Sequence, residues 1–379
     1  MLKKLDINRL FGTFSYSLDF INPEGDALKF ITGPNGYGKT TILAFINSIC
    51  RQDLGIFWKT PFESLKFFFE EATLEFIQTI SYRRTDDEDF GPVRDKFCLT
   101  ILFTLGDSAE TKIIDLSENN EITDSSLNLF LSSLSSCFVK DKRLEGGSQS
   151  GKDPVVKVNA KDLATRLKVI QSDINSAQNI SAMRFDSKPA KDDYDNRRKN
   201  ILPQLELLKS FGLFKEEQLP KTFQQEIAVI QDAYLASLEQ MTAKIASSID
   251  NLKLFSDIIS HSGFVNKKME IDPRFGYRFV VENDVHEILD LECLSSGEQH
   301  LLVMAYELLF KAFDDSIVLI DEPEMSFHLM WQLNFMNDLK AIVKQRGVQA
   351  IVSTHSPQTF NMDWGYAVDL YEQSTKDQE

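Results

Sequence analysis

Nine consecutive residues constrain this chain more than any other stretch: Gly33-Pro34-Asn35-Gly36-Tyr37-Gly38-Lys39-Thr40-Thr41. They follow the apolar run Leu28-Lys29-Phe30-Ile31, which reads as a strand, and precede Ile42, Leu43, Phe45, Ile46 and Ile49 at helical spacing. Strand, glycine turn and helix in that order match GxxxxGK followed by Ser or Thr, the P-loop. Its glycines let backbone N–H groups converge on the α and β phosphates of a nucleotide without obstruction. Lys39 brings positive charge to the β and γ phosphates, and the Thr40 hydroxyl is placed for Mg2+. The following helix aims its positive N-terminal end at the same anion. A turn of this kind belongs at the carboxyl edge of a sheet, so the expected fold class is α/β.

The chain has 379 residues, enough for one large domain carrying an insertion or for two modest domains. A net charge of −16 argues against a surface that is broadly adhesive to nucleic acid, although a local basic track stays open. Cys50, Cys98, Cys137 and Cys293 are too scattered for a zinc site or a disulfide framework. The opening MLKKLDINRL has no apolar leader core, and no run approaches the ~18 apolar residues of a membrane span. A cytoplasmic protein without a membrane partner is expected.

Leu5, Ile7, Phe14, Tyr16, Leu18 and Phe20 alternate with polar neighbours, and much of 65–118 alternates as well, predicting sheet. Residues 119–153, rich in Ser, Asn, Gly and charge, read as mostly a mobile loop. From 160 to 260 the period turns helical, with one helix of ~50 Å predicted across 227–259 and a partner near Ile201, Leu205 and Leu208. Core helices of a globular domain and a projecting antiparallel coiled coil both remain open. The division expected is 1–155, with the P-loop and a β lobe; 156–264, a helical insertion; and 265–379, the second half of the first domain.

Three further motifs carry chemistry. Ser316-Ile-Val-Leu-Ile-Asp321-Glu322-Pro-Glu324 is an apolar strand ending in carboxylates; Asp321 can hold the metal, and Glu322 can orient or deprotonate a water. Leu294-Ser295-Ser296-Gly297-Glu298-Gln299 opens a helix and forms a second anion site without lysine. One nucleotide is already cradled by the P-loop, so Ser295, Ser296, Gly297 and Glu298 are expected to meet the γ phosphate held by a second copy. Val352-Ser-Thr-His355 ends another apolar strand, from which His355 can reach the γ phosphate or the water.

These four elements in this order resemble the ABC ATPase superfamily, and within it the SMC-like and RecF-like soluble branch. The resemblance covers roughly 1–118 and 265–370 and implies a P-loop ABC ATPase head, a mixed sheet with flanking helices, that carries an insertion. It implies ATP and Mg2+ as cofactors, Asp321 and Thr40 as metal residues, and Glu322 and His355 as catalytic. Met325-Ser326 stand at the position of the D-loop. The glutamine expected in a segment like Ile180-Ser-Ala-Met183-Arg184-Phe185 is replaced by Met183, with Gln78, Gln171 and Gln178 as substitutes. INRLFGTFSY, LSSGEQHLLVMAYELLF and STHSPQTFNMDWGYAVDLYE are similar to ATPase subunits of bacterial antiphage systems of the Septu type, which implies a separate nuclease or effector subunit. A head-to-tail homodimer, or a higher homo-oligomer, is the expected working unit. The alternative is a DNA repair or maintenance ATPase gripping DNA or RNA through Lys140/Lys142/Arg143, Lys161/Arg166/Lys168 or Arg197/Arg198/Lys199. A transporter energy subunit fits poorly with the insertion and with LSSGEQ.

Overall fold

Alternating apolar side chains build the first sheet of the computed structural model. The structure describes the chain apart from residues 23, 84–92, 107–110, 117–121, 123, 140–152, 178–189, 215–222, 283–286, 327–328 and 377–379. Strands β1 (Leu2–Leu10) and β2 (Phe14–Asp19) pair antiparallel, and β3 (Leu28–Thr32), with all five residues buried, leads to α1 (Lys39–Arg51) and the short α2 (Gly55–Lys59). Next come β4 (Ser64–Phe69), β5 (Ala72–Arg83), β6 (Val93–Leu105) and β7 (Thr111–Leu116). Strands β1, β2 and β4 to β7 form a six-stranded antiparallel sheet in the order β2-β1-β4-β5-β6-β7.

The predicted loop at 119–153 is in part structured. Helix α3 (Ser125–Ser133) starts at Asp124, whose carboxylate accepts the N–H groups of Ser126 and Leu127, and strand β8 (Ser136–Val139) follows. Leu127, Phe130 and Leu131 at i, i+3 and i+4 are buried, as are Phe138 and Val139. Short apolar pieces inside a polar stretch hide both elements from composition. Residues 140–152 of that stretch lie outside the described residues.

The helical region holds α4 (Val155–Ala177), α5 (Lys191–Ser210), α6 (Ala228–Lys244) and α7 (Ala246–His261). The single long helix predicted across 227–259 is broken at Ile245, where ψ of 9° leaves the helical range and one residue ends α6 and opens α7. Leu163, Leu167, Ile201, Leu205, Leu238, Met241, Leu252 and Phe255 are all buried. With α4, α5, α6 and α7 all contributing buried residues, these helices are core helices rather than a two-stranded coil. Strands β9 (Lys267–Asp272), β10 (Gly276–Val281) and β11 (Ile288–Leu289) form a small antiparallel sheet, and α8 (Ser296–Tyr306) continues into a π turn at Glu307–Lys311.

The chain closes with β12 (Ile317–Asp321), α9 (Leu329–Arg346), β13 (Gln349–Ser353), β14 (Ala367–Asp369) and α10 (Leu370–Lys376). Strands β14-β3-β13-β12-β8 form a wholly parallel five-stranded sheet, so the expected α/β class is the one adopted. Two compact units result: Met1–Asp141 with Lys311–Glu379, and Lys142–Phe310. Residues 265–310, grouped by the sequence with the C-terminal half of the head, cluster with the helices in the second unit.

In the first unit, Ile42, Phe45, Ile46 and Ile49 of α1 share one apolar cluster with Leu5, Ile7, Phe67 and Phe76 of the antiparallel sheet. Ile31, Leu319 and Ile351 of the parallel sheet complete it. Each such burial contributes about 1.5–3 kcal/mol, so the helix that begins at Lys39 is held firmly. Among the described residues no helix is long and apolar enough to cross a membrane.

Candidate nucleotide site

Parallel pairing places the ends of three strands side by side. Strand β3, which enters the glycine turn, neighbours β13, and β13 neighbours β12; Asp321 is in register with Ser353, and Ser353 with Ile31. The crevice outside the carboxyl ends of such strands is where α/β sheets take ligands.

The turn is shaped by its backbone. Gly36 and Gly38 have φ of 86° and 89°, a region that residues with a Cβ avoid. A Cβ on Gly38 would also lie 2.7 Å from Leu10 Cδ2. Tyr37 is anchored through its carbonyl, which accepts the Tyr16 hydroxyl at 2.9 Å, and its ring centroid lies 4.9 Å from that of Phe14. Pro34, Asn35 and Gly36 are exposed at the tip, and Thr41 is half-buried in the first turn of α1.

Lys39 is buried, and Nζ donates to the carbonyls of Gly33 at 2.9 Å and Pro34 at 3.2 Å. Its third neighbour is His355 Nδ1 at 3.4 Å. Burial pulls the Lys39 ammonium below the usual lysine range, while Glu322, Asp321 and Glu324 work in the opposite direction. An ammonium can only donate, so His355 Nδ1 is the acceptor and its ring proton sits on Nε2, assigned from this network. That nitrogen lies 3.2 Å from Glu322 Oε1. Lysine, imidazole and carboxylate thus form one chain of contacts.

Thr40 Oγ1 donates to Asp321 Oδ1 at 3.1 Å, and the Ser353 hydroxyl donates to the same oxygen. A hydroxyl and a carboxylate this close are hard oxygen donors of the kind Mg2+ takes, completing its shell with water and phosphate oxygens. Glu322 has φ of 48°, unusual for a residue with a side chain, and its N–H donates to the Ser353 carbonyl at 3.0 Å.

The serine-glycine turn belongs to the second unit. Ser295 caps α8: its hydroxyl accepts the Glu298 N–H at 3.3 Å, and Glu298 Oε2 accepts the Ser295 N–H at 2.8 Å, a reciprocal capping box. Glu298 is buried and ion-paired to Lys267 Nζ at 2.7 Å, so its carboxylate is committed to building the turn. Ser295 and Ser296 are exposed and Gly297 is half-buried. Lys39, Thr40, Asp321, Glu322 and His355 are therefore brought together, while Ser295–Glu298 stand on a different unit.

Met325 is exposed, whereas Phe327 and His328 after it lie outside the described residues, as do 180–185, with Met183, and Gln178. Gln78 is buried: its amide accepts from Phe62 N at 2.9 Å and donates to the carbonyls of Phe57 and Thr60. It latches a loop. Sequence reasoning assigned no role to Ser353 or Glu324. Ser353 could have been found from two apolar strands ending in one plane, and Glu324 from the third acid of Asp321-Glu322-Pro323-Glu324.

A family model described as AAA ATPase domain matches residues 1–359. No curated protein matches the chain. Among solved structures, it is similar to a Smc head domain with an extended coiled coil bound to the C-terminal domain of ScpA, derived from Pyrococcus furiosus. Identity there is 13%, coverage 97% of this chain and 92% of that one, and the TM-score 0.40. A second similar structure is an SmcHead bound to the C-winged helix domain of ScpA, at 13% identity, 97% and 93% coverage, and TM-score 0.39.

Proposed function

We propose that this chain, which belongs to the AAA ATPase domain family, binds ATP with Mg2+ at Gly33–Thr41 and hydrolyses it in the manner of an ABC-type head. The observation that carries the reading is the convergence of Lys39, Thr40, Asp321, Glu322 and His355 at the ends of β3, β12 and β13. When bound, Mg2+ supplies charge neutralisation at the β and γ phosphates. Glycine-turn N–H groups and Lys39 would hold the phosphates, and Thr40 and Asp321 would hold the metal. Glu322 takes a proton from the water whose oxygen attacks the γ phosphorus as the bond to the bridging oxygen breaks and ADP leaves. His355 donates from Nε2 to Glu322 and so keeps that carboxylate aimed.

The exposed Ser295 and Ser296 at the N-terminus of α8 support a further step: two copies pair head to tail, each turn meeting the γ phosphate of the other. Opening and closing of that pair would gate a separate effector, a nuclease, in bacterial antiphage defence, the role implied by the Septu-type phrases. Against direct gripping of DNA or RNA, Lys161 pairs with Asp153, Arg166 with Asp162 at 2.9 Å and Arg197 with Asp232 at 2.7 Å. Three cations of those clusters thus already have a carboxylate partner. Lys140, Lys142 and Arg143 lie outside the described residues.

Glu322→Gln tests the hydrolysis step. Phosphate release is expected to fall by about 100-fold or more, with ATP still bound, since a positioned base contributes ~10²–10⁴. Hydrolysis at the parental rate would remove Glu322 from this role.

A further inference from the structure

Regular pairing of β12 and β13 ends at Asp321 and Ser353, whereas Glu322 and His355 stand beyond those residues. Bonds outside the ladder carry the connection onward. Glu322 N–H reaches the Ser353 carbonyl, Ser353 reaches Asp321, and the backbone N–H of His355 donates to Glu324 Oε1 at 2.5 Å. The first two fix the carboxylates. The third holds the backbone from which the imidazole projects between Lys39 and Glu322.

Glu324 stands in the tight turn Pro323–Ser326, itself closed by Met325 N–H on the Glu322 carbonyl at 3.2 Å. Its other oxygen, Oε2, is buried with no hydrogen-bond partner among the described residues. A buried acceptor left unmet is costly, and a glutamate there is a poor choice if a brace were all the turn required.

We propose that Glu324 is a positioning residue for ATP hydrolysis, acting through His355: by accepting the His355 amide it sets the imidazole in line with Lys39 and Glu322. This role rests on the chain being a hydrolase with Glu322 as its base. An acceptor oxygen is what it needs, so Glu324→Gln should largely preserve the effect and Glu324→Ala should abolish it.

The experiment uses the full chain with ATP and Mg2+. For Glu324→Ala, kcat is expected to fall ~10–100-fold while KM and ATP affinity stay within about 2-fold, the scale on which small misplacements of catalytic groups act. Glu324→Gln should return to within about 5-fold of the parent. Equal losses in both variants, parental kcat in Glu324→Ala, or lost ATP affinity with kcat intact would each overturn the proposal.

A second readout does not depend on turnover. The five histidines give five amide signals on selective 15N labelling, and His355→Gln identifies the relevant one. That signal should move in Glu324→Ala and stay close to its parental position in Glu324→Gln. A His355 signal that stays still in Glu324→Ala overturns the proposal by itself. A signal that moves in Glu324→Ala while the parent chain itself releases no phosphate overturns the hydrolysis reading instead.

Discussion

Glu322 occupies the left-handed region at φ 48°, where a residue with a Cβ gives up about 1–2 kcal/mol. The surroundings hold it there: its N–H is tied to Ser353 and its carboxylate to His355. Strain of this kind is stored where a side chain must face a definite direction, here toward the His355 imidazole. Gly38 shows the converse. At φ 89° and 2.7 Å from Leu10 for an added Cβ, it has neither conformational nor physical room for a side chain. Gly38→Ala is expected to destabilise the first unit by about 1–2 kcal/mol and, if the glycine turn holds phosphate as proposed, to weaken ATP binding, because the turn must open. Urea denaturation and nucleotide titration of the same variant check both halves; a parental affinity would mean the turn tolerates that movement.

Among the elements, the cap of α8 shows how a buried charge can hold a functional turn. Burial acts to raise the pKa of Glu298, but hydrogen bonds from Lys267 and Ser295 prevail and hold it below the ordinary 4.5. A depressed folded pKa means the stabilisation is present above the unfolded value and is lost as pH falls from about 4.5 through the folded one. In Lys267→Met the carboxylate keeps its burial and loses its cation. Stability at pH 7 should drop by about 1–3 kcal/mol, and the part of the acid-side loss that belongs to Glu298 should shrink. Urea midpoints at pH 7 and pH 4 decide it; parallel loss in parent and variant would discard the pair as a source of stability. The motif residues here were legible because each follows a local rule: a short apolar run before Gly33, Asp321 and His355, and a helix cap at Ser295. What escaped was non-local or masked by composition. The order β14-β3-β13-β12-β8 depends on pairing between distant segments, α3 and β8 are short apolar pieces in polar surroundings, and the break at Ile245 interrupts an otherwise unbroken apolar period. Ser353 and Glu324 gain their partners only once strand register is set.

For the whole molecule, the distribution of parts between units sets the decisive test. Lys39, Thr40, Asp321, Glu322 and His355 lie in the unit Met1–Asp141 with Lys311–Glu379, and Ser295 lies in Lys142–Phe310. If two copies share their sites, each site takes its phosphate cradle from one chain and its serine-glycine turn from the other. Lys39→Ala should then lose ATP binding, and Ser295→Arg should keep ATP but block pairing by filling the exposed turn with a bulky cation. Each variant alone should be inactive. Mixed together, they form pairs in which one site carries both defects and the other carries none. Pairs of a single variant hold no sound site, so all activity of the mixture must come from mixed pairs, each with one sound site of two, and with independent sites it cannot exceed about half of the parental rate. Sizing by light scattering in the presence of ATP should show the recovered activity in the paired fraction. If the mixture stays inactive while sizing shows that mixed pairs have formed, the nucleotide is not shared in this way, because a pair built from halves of opposite chains must then contain a sound site.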